Sequence, residues 1–192
     1  MFEYPTQIVD AVTASGPNGG YHNKKQYRLA VEMLDTCMTD YNSPRLYHLA
    51  LSGSTYEAHK AFLKKLLRHL REHGIKASYR AAREIDGTKG EHLHVAMCVQ
   101  GQGGPNPDHV LNRKQTQWLV QASEALGIKV YLNAPGNKSL HGDSANYMSL
   151  PKSNPAKLKD ARLWLSYLFK RRGKPETGEV YSSSRREGAT PT

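Results

Sequence analysis

A chain of 192 residues with a formal net charge of +10 is long enough for one domain with a full core, and its charge favours a polyanionic partner. The two cysteines, Cys37 and Cys98, form no CxxC pair, which excludes a disulfide framework. The sequence contains no apolar run of membrane-spanning length and does not begin with a secretory signal, so we expect a soluble, cytoplasmic protein without membrane association.

The first half of the chain predicts two helices and a strand after a flexible N-terminal arm. The arm covers residues 1–23 and includes a Gly/Pro/Asn stretch. Apolar residues at helical spacing predict a helix over residues 24–41, and strict alternation predicts a strand over Arg45–Ser52. A capping box at Ser54–Glu57 begins the second helix, which Gly74 ends.

Two strands with a turn between them predict a β-hairpin over Ile75–Glu84 and His92–Val99. Successive side chains of a strand point to opposite faces, so the second strand has one apolar face, formed by Leu93, Val95, Met97 and Val99. His92 and His94 point to the other face. An antiparallel pairing brings Glu84 close to both histidines on that polar face.

The second half of the chain predicts a helix over residues 111–126, a strand over 128–132 and a long loop over 133–152. Asn154 and Pro155 begin a last helix, whose apolar stripe is Leu158, Ala161, Leu165 and Leu168. From residue 176 to 192 the chain lacks apolar periodicity, and we expect a disordered basic tail.

His92, His94 and Glu84 supply three ligands for a divalent cation and leave its other positions open. The mixed nitrogen and oxygen ligands suit Mg²⁺ or Mn²⁺ acting on a phosphate, and Zn²⁺ stays an alternative. Such an ion polarises a scissile phosphate as a Lewis acid. The ordinary alternative is that a His-hydrophobe-His run on a strand is incidental, and that Glu84 is only solvated.

Tyr167 and Lys170 lie one turn apart on the last helix and form a candidate nucleophile with a cationic helper. A phenol with a pKa near ~10 needs such help, because it is mostly protonated at neutral pH. Attack by Tyr167 leaves a 5′-phosphotyrosine and a free 3′-OH. A YxxK pair is common on helices, and Tyr147, in the predicted loop, is a less favoured rival nucleophile.

Further basic and histidine side chains extend the candidate site. Lys76 and Arg80 share a strand face with Glu84, and with the basic residues Arg171, Arg172 and Lys174 they are candidate contacts for a single strand of DNA. His48 alternates away from the core side of its strand, so it is either an ordinary surface residue or a group behind the metal ligands.

The order of these features resembles the HUH endonuclease superfamily, which comprises rolling-circle replication initiators, relaxases and related transposases. Within it the chain is most similar to the filamentous-phage (inovirus) replication proteins, with YagK/YfjJ-like domains. The resemblance covers roughly residues 45–175, within a predicted domain of residues 24–175. Its anchors are YRAARE at 79–84, KGEHLHV at 89–95 and LSYLFKRRGKP at 165–175.

The resemblance implies an α+β fold with about five antiparallel strands, an RRM-like palm, backed by helices. It also implies that His92, His94 and Glu84 hold the metal, that Tyr167 is the nucleophile and that Lys170 assists it. The implied activity is a metal-dependent, sequence-specific nick in single-stranded DNA at a replication origin, which starts rolling-circle replication of a phage or mobile element in a bacterial host. The sequence contains no helicase domain, so a host helicase is an implied partner.

Two other functions stay open at this stage. One is a non-catalytic nucleic-acid-binding protein on the same sheet, such as a repressor or a packaging factor. The other is a metal-dependent phosphoesterase of another family, although the second histidine motif that would favour it is missing from the sequence. The lack of a second tyrosine one turn from Tyr167, where Leu163 and Arg171 stand, implies a single-tyrosine mechanism.

Overall fold

The computed structural model describes residues 23–87, 90–102, 107, 117–133, 147–169 and 180–184. Within these ranges the chain forms four helices and six strands: α1 Lys24–Asp40, β1 Arg45–Ser52, α2 Tyr56–Glu72, β2 Ala77–Asp86, β3 Gly90–Val99, α3 Gln117–Glu124, β4 Lys129–Asn133, β5 Tyr147–Ser149, α4 Pro155–Leu168 and β6 Tyr181–Ser183. No helix in the described part of the chain is long and apolar enough to cross a membrane.

All the strands belong to one antiparallel sheet, in the order β4-β1-β3-β2-β6. The short strand β5 pairs with the first half of β1, on the edge whose second half pairs with β4. The expected fold class, an α+β fold with an antiparallel sheet backed by helices, is confirmed. The described sheet has six strands where about five were expected, because β5 and β6 are short edge strands.

The larger core lies between one face of the sheet and helices α2 and α3. The apolar stripe of α2 packs there against alternate residues of β1, β2 and β3, with Leu49, Val95 and Met97 among those fully buried. The Thr55 hydroxyl accepts a hydrogen bond from the Ala58 N–H at 3.3 Å, so the helix begins one residue later than the capping box predicts. This packing confirms the predicted apolar face of β3.

Helices α1 and α4 cover part of the opposite face of the sheet. Leu46, Ala82, Ala96 and Cys98 lie buried beneath them in a second core. On β1 and β3 this face changes from apolar residues at the turn-distal end to His48, His92 and His94 towards the turn. On β2 the face stays polar away from the turn as well, because Ser78 and Arg80 lie on the side of Glu84 and line a groove beside α1.

Two short strands form where the sequence predicts a loop and a disordered tail. β5 lies within the expected loop 133–152, and β6 lies within the expected tail 176–192. For residues 180–184 the expectation of disorder is corrected: Arg83 N–H donates to Val180 O at 2.8 Å, and the Tyr181 ring packs on Phe169 at 5.8 Å. Both strands form by pairing with the edge of a strand that is far away in the sequence, β1 for β5 and β2 for β6, and local sequence patterns do not reveal such a pairing.

Candidate metal centre

Glu84, His92 and His94 converge at the turn-proximal end of the β2–β3 hairpin. Glu84 pairs directly with His92 across the two strands, and His94 lies two positions further along β3 on the same face. The Oε2 atom of Glu84 lies 3.4 Å from His92 Nε2 and 3.5 Å from His94 Nε2. The hairpin register that the sequence predicts is therefore the register found, and it brings three ligand atoms together.

The second ring nitrogen of each histidine faces a hydrogen-bond partner. His92 Nδ1 lies 3.2 Å from the carbonyl oxygen of Gly90, to which only an Nδ1–H can donate. His94 Nδ1 lies 2.9 Å from Nε2 of His48, on the neighbouring strand β1. These contacts orient both rings so that their Nε2 atoms point towards Glu84.

The three groups fit a divalent cation. Ligands at about 2.1 Å from an ion, at octahedral or tetrahedral angles, stand about 3.0–3.4 Å apart, close to the two spacings found here. Two imidazoles and one carboxylate form a mixed set that accepts Mg²⁺, Mn²⁺ or Zn²⁺. If the described part of the chain supplies just these three ligands, an ion held here keeps positions for substrate oxygens or water.

His48 stands behind the cluster in a largely enclosed position. Burial first, and then the proximity of His94, lowers the pKa of His48 to about 4, while the Glu84 carboxylate opposes the shift. Its ring is therefore neutral near pH 7 and can accept a hydrogen bond. On its other side the ring packs against Trp164 of α4, with centroids 5.2 Å apart.

The last turn of α4 crosses the sheet beside this cluster. Trp164 contacts His48, and Phe169, just after the helix, contacts Tyr181, whose partner on β2 is Ala82. Ala82 in turn pairs with His94. Trp164 therefore lies beside His48, whose ring contacts His94, and Phe169 lies beside the residue of β6 that shares a cross-strand row with His94.

Of the two predicted catalytic residues, Tyr167 has a described backbone position, in this last turn of α4. It follows Trp164 by three residues, which is roughly 300° of helical rotation, so it lies one turn further along an adjoining side of the helix. The side chain of Tyr167 lies outside the described residues. Lys170, Arg171, Arg172 and Lys174 lie outside them entirely.

Tyr147, the rival nucleophile, lies on the opposite face of the sheet. Tyr147 belongs to β5 and pairs with Tyr47 of β1, and the two rings pack with centroids 5.4 Å apart. The guanidinium of Arg45 stands over the Tyr147 ring at 4.5 Å. The sheet separates this tyrosine from the histidine cluster, so the structure does not bring Tyr147 together with Glu84, His92 and His94.

Lys76 and Arg80 share the site face but stand apart from the metal ligands. Arg80 precedes Glu84 by four residues, roughly 13 Å along the strand, and Lys76 is as far again. Both line an open groove of about 490 Å³ between α1 and β2, together with Tyr41, Ser78 and Asp40. The groove continues the site face away from the hairpin turn.

Two side chains of the edge strand β4 were missed at the sequence level. Tyr131 pairs with Ala50, which pairs with His94, and Lys129 pairs with Ser52, which pairs with His92. Side chains opposite each other point to the same face, so Tyr131 and Lys129 share the face of the metal ligands. The alternation of residues 128–132 predicts that Lys129 and Tyr131 share one face of a strand. Which face of the sheet this is follows only from the register with β1.

A partly buried ion pair and a buried histidine lie on the other face of the hairpin. Arg83 and Glu91 form an ion pair at 2.7 Å, and the Arg83 guanidinium lies over the Tyr56 ring at 5.0 Å. His59 of α2 is fully buried near both charges, and burial lowers its pKa. None of the described residues lies within hydrogen-bond distance of its ring nitrogens. The sequence offers no spacing that distinguishes His59 from the other histidines.

No protein-family model, curated protein or solved structure matches this chain.

Proposed function

We propose that the protein is a metal-dependent, HUH-type endonuclease that nicks single-stranded DNA at a replication origin and stays joined to the new 5′ end. The observation that carries the proposal is the convergence of Glu84, His92 and His94 on one face, beside the last turn of the helix that contains Tyr167. The biological role that fits is initiation of rolling-circle replication of a phage or mobile element, in the cytoplasm of a bacterial host.

The chemistry is a transesterification. The Tyr167 hydroxyl oxygen forms a bond to the scissile phosphorus and loses its proton, the bond from phosphorus to the 3′ oxygen breaks, and that oxygen leaves protonated as a 3′-OH. A bound Mg²⁺ or Mn²⁺ polarises the phosphate and stabilises its charge. Lys170, three residues after Tyr167 in the sequence, favours the phenolate electrostatically. No bond energy is lost, so the reverse reaction rejoins strands.

The position of α4 supports Tyr167 over Tyr147. Ala161, Leu165 and Leu168 occupy the buried stripe of α4, the helix whose last turn contains Tyr167. That turn lies beside His48, whose ring contacts His94. The position of Tyr147 across the sheet from the candidate metal ligands favours Tyr167 for this role.

The substrate class follows from the charge and the shape of the site. The net charge of +10 favours a polyanion. Lys76 and Arg80 line an open groove that continues the site face, and such a groove admits an extended strand more readily than a small molecule. A duplex origin must be opened before such a strand is available, so a host helicase is the expected partner.

End-labelled single-stranded oligonucleotides with Mn²⁺ test the proposal. Because the protein keeps the 5′ phosphate of the downstream fragment, a 3′ label should stay with the protein on a denaturing gel, whereas a 5′ label should be released. Tyr167→Phe should abolish the transfer, and the matched control Tyr147→Phe should not. Peptide mapping of the adduct identifies the tyrosine directly.

Each other outcome contradicts a defined part of the proposal. Binding of the oligonucleotides without any transfer favours the non-catalytic nucleic-acid-binding protein. Transfer that persists in EDTA excludes the metal. A nucleotide recovered on Tyr147 excludes the assigned nucleophile while leaving the reaction class intact.

A further inference from the structure

His48 is the group on β1 that contacts both the metal ligands and the helix of the nucleophile. Its Nε2 lies 2.9 Å from His94 Nδ1, and its ring packs on Trp164 of α4. The register that creates this contact joins β1 to β3, where His48 pairs with Ala96, diagonal to His94. His48 is not placed to be a fourth ligand. It contacts Nδ1 of His94, whereas Glu84 faces Nε2 on the other side of the same ring.

The tautomers of the two rings follow from the direction of this hydrogen bond. For His94 to present a lone pair at Nε2, its proton must be on Nδ1, which then donates to His48. His48 must accept at Nε2 and carry its own proton on Nδ1. The Gly90 carbonyl performs the same task for His92.

We propose that His48 is a positioning residue that holds His94 in its metal-binding tautomer and links this ligand to α4 through Trp164. This inference rests on the proposed function. Groups that accept a hydrogen bond from a ligand histidine typically contribute 10–100-fold to metal affinity. His48 differs from the Gly90 carbonyl in one respect: it is a side chain, so its contribution can be removed and restored by substitution.

Metal binding in the absence of DNA tests the inference. His48→Phe keeps an aromatic ring against Trp164 but removes the acceptor, so affinity for Mn²⁺, measured calorimetrically, should fall by about 10–100-fold. His48→Gln restores an acceptor and should recover affinity to within a few-fold of the wild type. His73→Phe, at an exposed histidine of the α2 cap, is the matched control and should have no effect.

Three measurements separate failure of this inference from failure of the proposed function. If Glu84→Gln leaves the visible spectrum of bound Co²⁺ unchanged, the cluster does not hold the ion and both proposals are overturned. If Glu84→Gln abolishes that spectrum but His48→Phe binds like the wild type, the role of His48 alone is overturned. Nitrogen-15 spectra of the Zn²⁺-loaded wild type need no variant: a His94 proton found anywhere but Nδ1 also overturns it.

The exposed side chain of Tyr131 supports a second, independent inference, which concerns the path of the bound DNA strand. It is 51% exposed, although large apolar groups of the sheet are otherwise mostly buried, and it stands two strands from His94, roughly 10 Å away. Only Ala50 separates the two in their cross-strand row, so little side-chain bulk lies between them. Lys129, exposed in the next row, adds a positive charge.

We infer that Tyr131 is a stacking platform for one base of the bound single strand, with Lys129 near an adjoining phosphate. This also rests on the proposed function. Base–aromatic stacking is sequence-tolerant and contributes about 1–3 kcal/mol per base, which corresponds to roughly 5–150-fold in affinity. A tyrosine that served only the fold would be directed into the core, as Val130 and Leu132 of the same strand are.

Oligonucleotide affinity measured in EDTA, where no cleavage occurs, tests this platform. Tyr131→Leu should weaken binding by about 5–150-fold, whereas Tyr131→Trp should not. When a single abasic site is moved along the oligonucleotide, affinity for the wild type should fall by the same factor at one position only. With the abasic site at that position, Tyr131→Leu should cause no further loss of affinity. Equal binding by Tyr131→Leu and the wild type overturns the platform, while strand transfer by the same wild-type protein separately tests the proposed function.

Discussion

In both candidate ligand histidines, the two ring nitrogens face different partners. In both His92 and His94, Nε2 faces the Glu84 carboxylate and Nδ1 faces a polar partner. An imidazole without that second contact would rotate and exchange tautomers, and its lone pair would be directed at the ion only part of the time. The hydrogen bonds behind the cluster are therefore as much a part of the site as the ligands.

Removal of one ligand should separate chemistry from binding. We expect His94→Ala to lower strand transfer by more than about 100-fold, beyond the loss typical of groups behind a ligand. Oligonucleotide affinity should change little, because it depends on phosphate contacts elsewhere on the surface. Transfer rates, affinity by fluorescence anisotropy and thermal unfolding should be measured on one preparation. A variant that transfers strands normally is incompatible with the metal site.

The buried His59 makes stability depend on pH. Its pKa is below the ordinary value of 6.5 in the folded protein, because burial disfavours the charged ring. Below pH 6.5 the unfolded chain therefore binds a proton that the folded chain does not, and the free energy of unfolding should decrease as the pH falls. Each unit of pKa difference contributes about 1.4 kcal/mol to this decrease.

His59→Phe should remove that contribution. Urea unfolding between pH 5 and pH 7 should show a shallower pH dependence for the variant than for the wild type. At pH 7 the variant should be as stable or more stable, since an apolar ring of similar size replaces a buried polar one. An unchanged slope in His59→Phe would show that other groups dominate.

At the level of elements, the hairpin and β4 could be predicted from the sequence, and the short strands β5 and β6 could not. The turn and the alternation of β2 and β3 are local signals, and together they fix which residues face Glu84. The contact of His48 with His94 needs the register between β1 and β3, whose sequences are separated by a whole helix. The same holds for Tyr147, which alternation alone could not assign to a face of the sheet.

β6 illustrates the same limit and leads to a prediction about stability. A chain ending at residue 179 lacks the pairing with β2 and the contact of Tyr181 with Phe169, whereas a chain ending at 184 keeps both. We expect the shorter chain to be less stable by about 2–3 kcal/mol, from a few backbone hydrogen bonds and one partly buried ring. Chemical denaturation of the two truncated chains measures this difference directly. Equal stabilities would mean that β6 contributes nothing to the fold.

For the whole molecule, two helical layers cover one sheet unequally. One face is buried under α2 and α3, while α1 and α4 bury the apolar part of the other face. The sequence predicts a face by its alternation, but it does not show how far along the strands a helix will extend. That extent decides where the site is, because it leaves the side chains of His92, Glu84 and His94 10%, 17% and 25% exposed, on the same face as the exposed Tyr131.

The positive charge of the molecule should appear as a dependence of binding on salt. If three to five phosphates of a single strand are neutralised, the logarithm of the association constant should fall with the logarithm of salt concentration at a slope of roughly −2 to −4. Lys76 lines the groove on the site face, so Lys76→Ala should make the slope shallower by about 0.7. Lys65 is an equally exposed lysine on α2, across the sheet, and Lys65→Ala is the matched control that should leave the slope unchanged. Measuring both slopes on one oligonucleotide in EDTA separates a path along the site face from attraction by net charge, which predicts the same small change for both lysines.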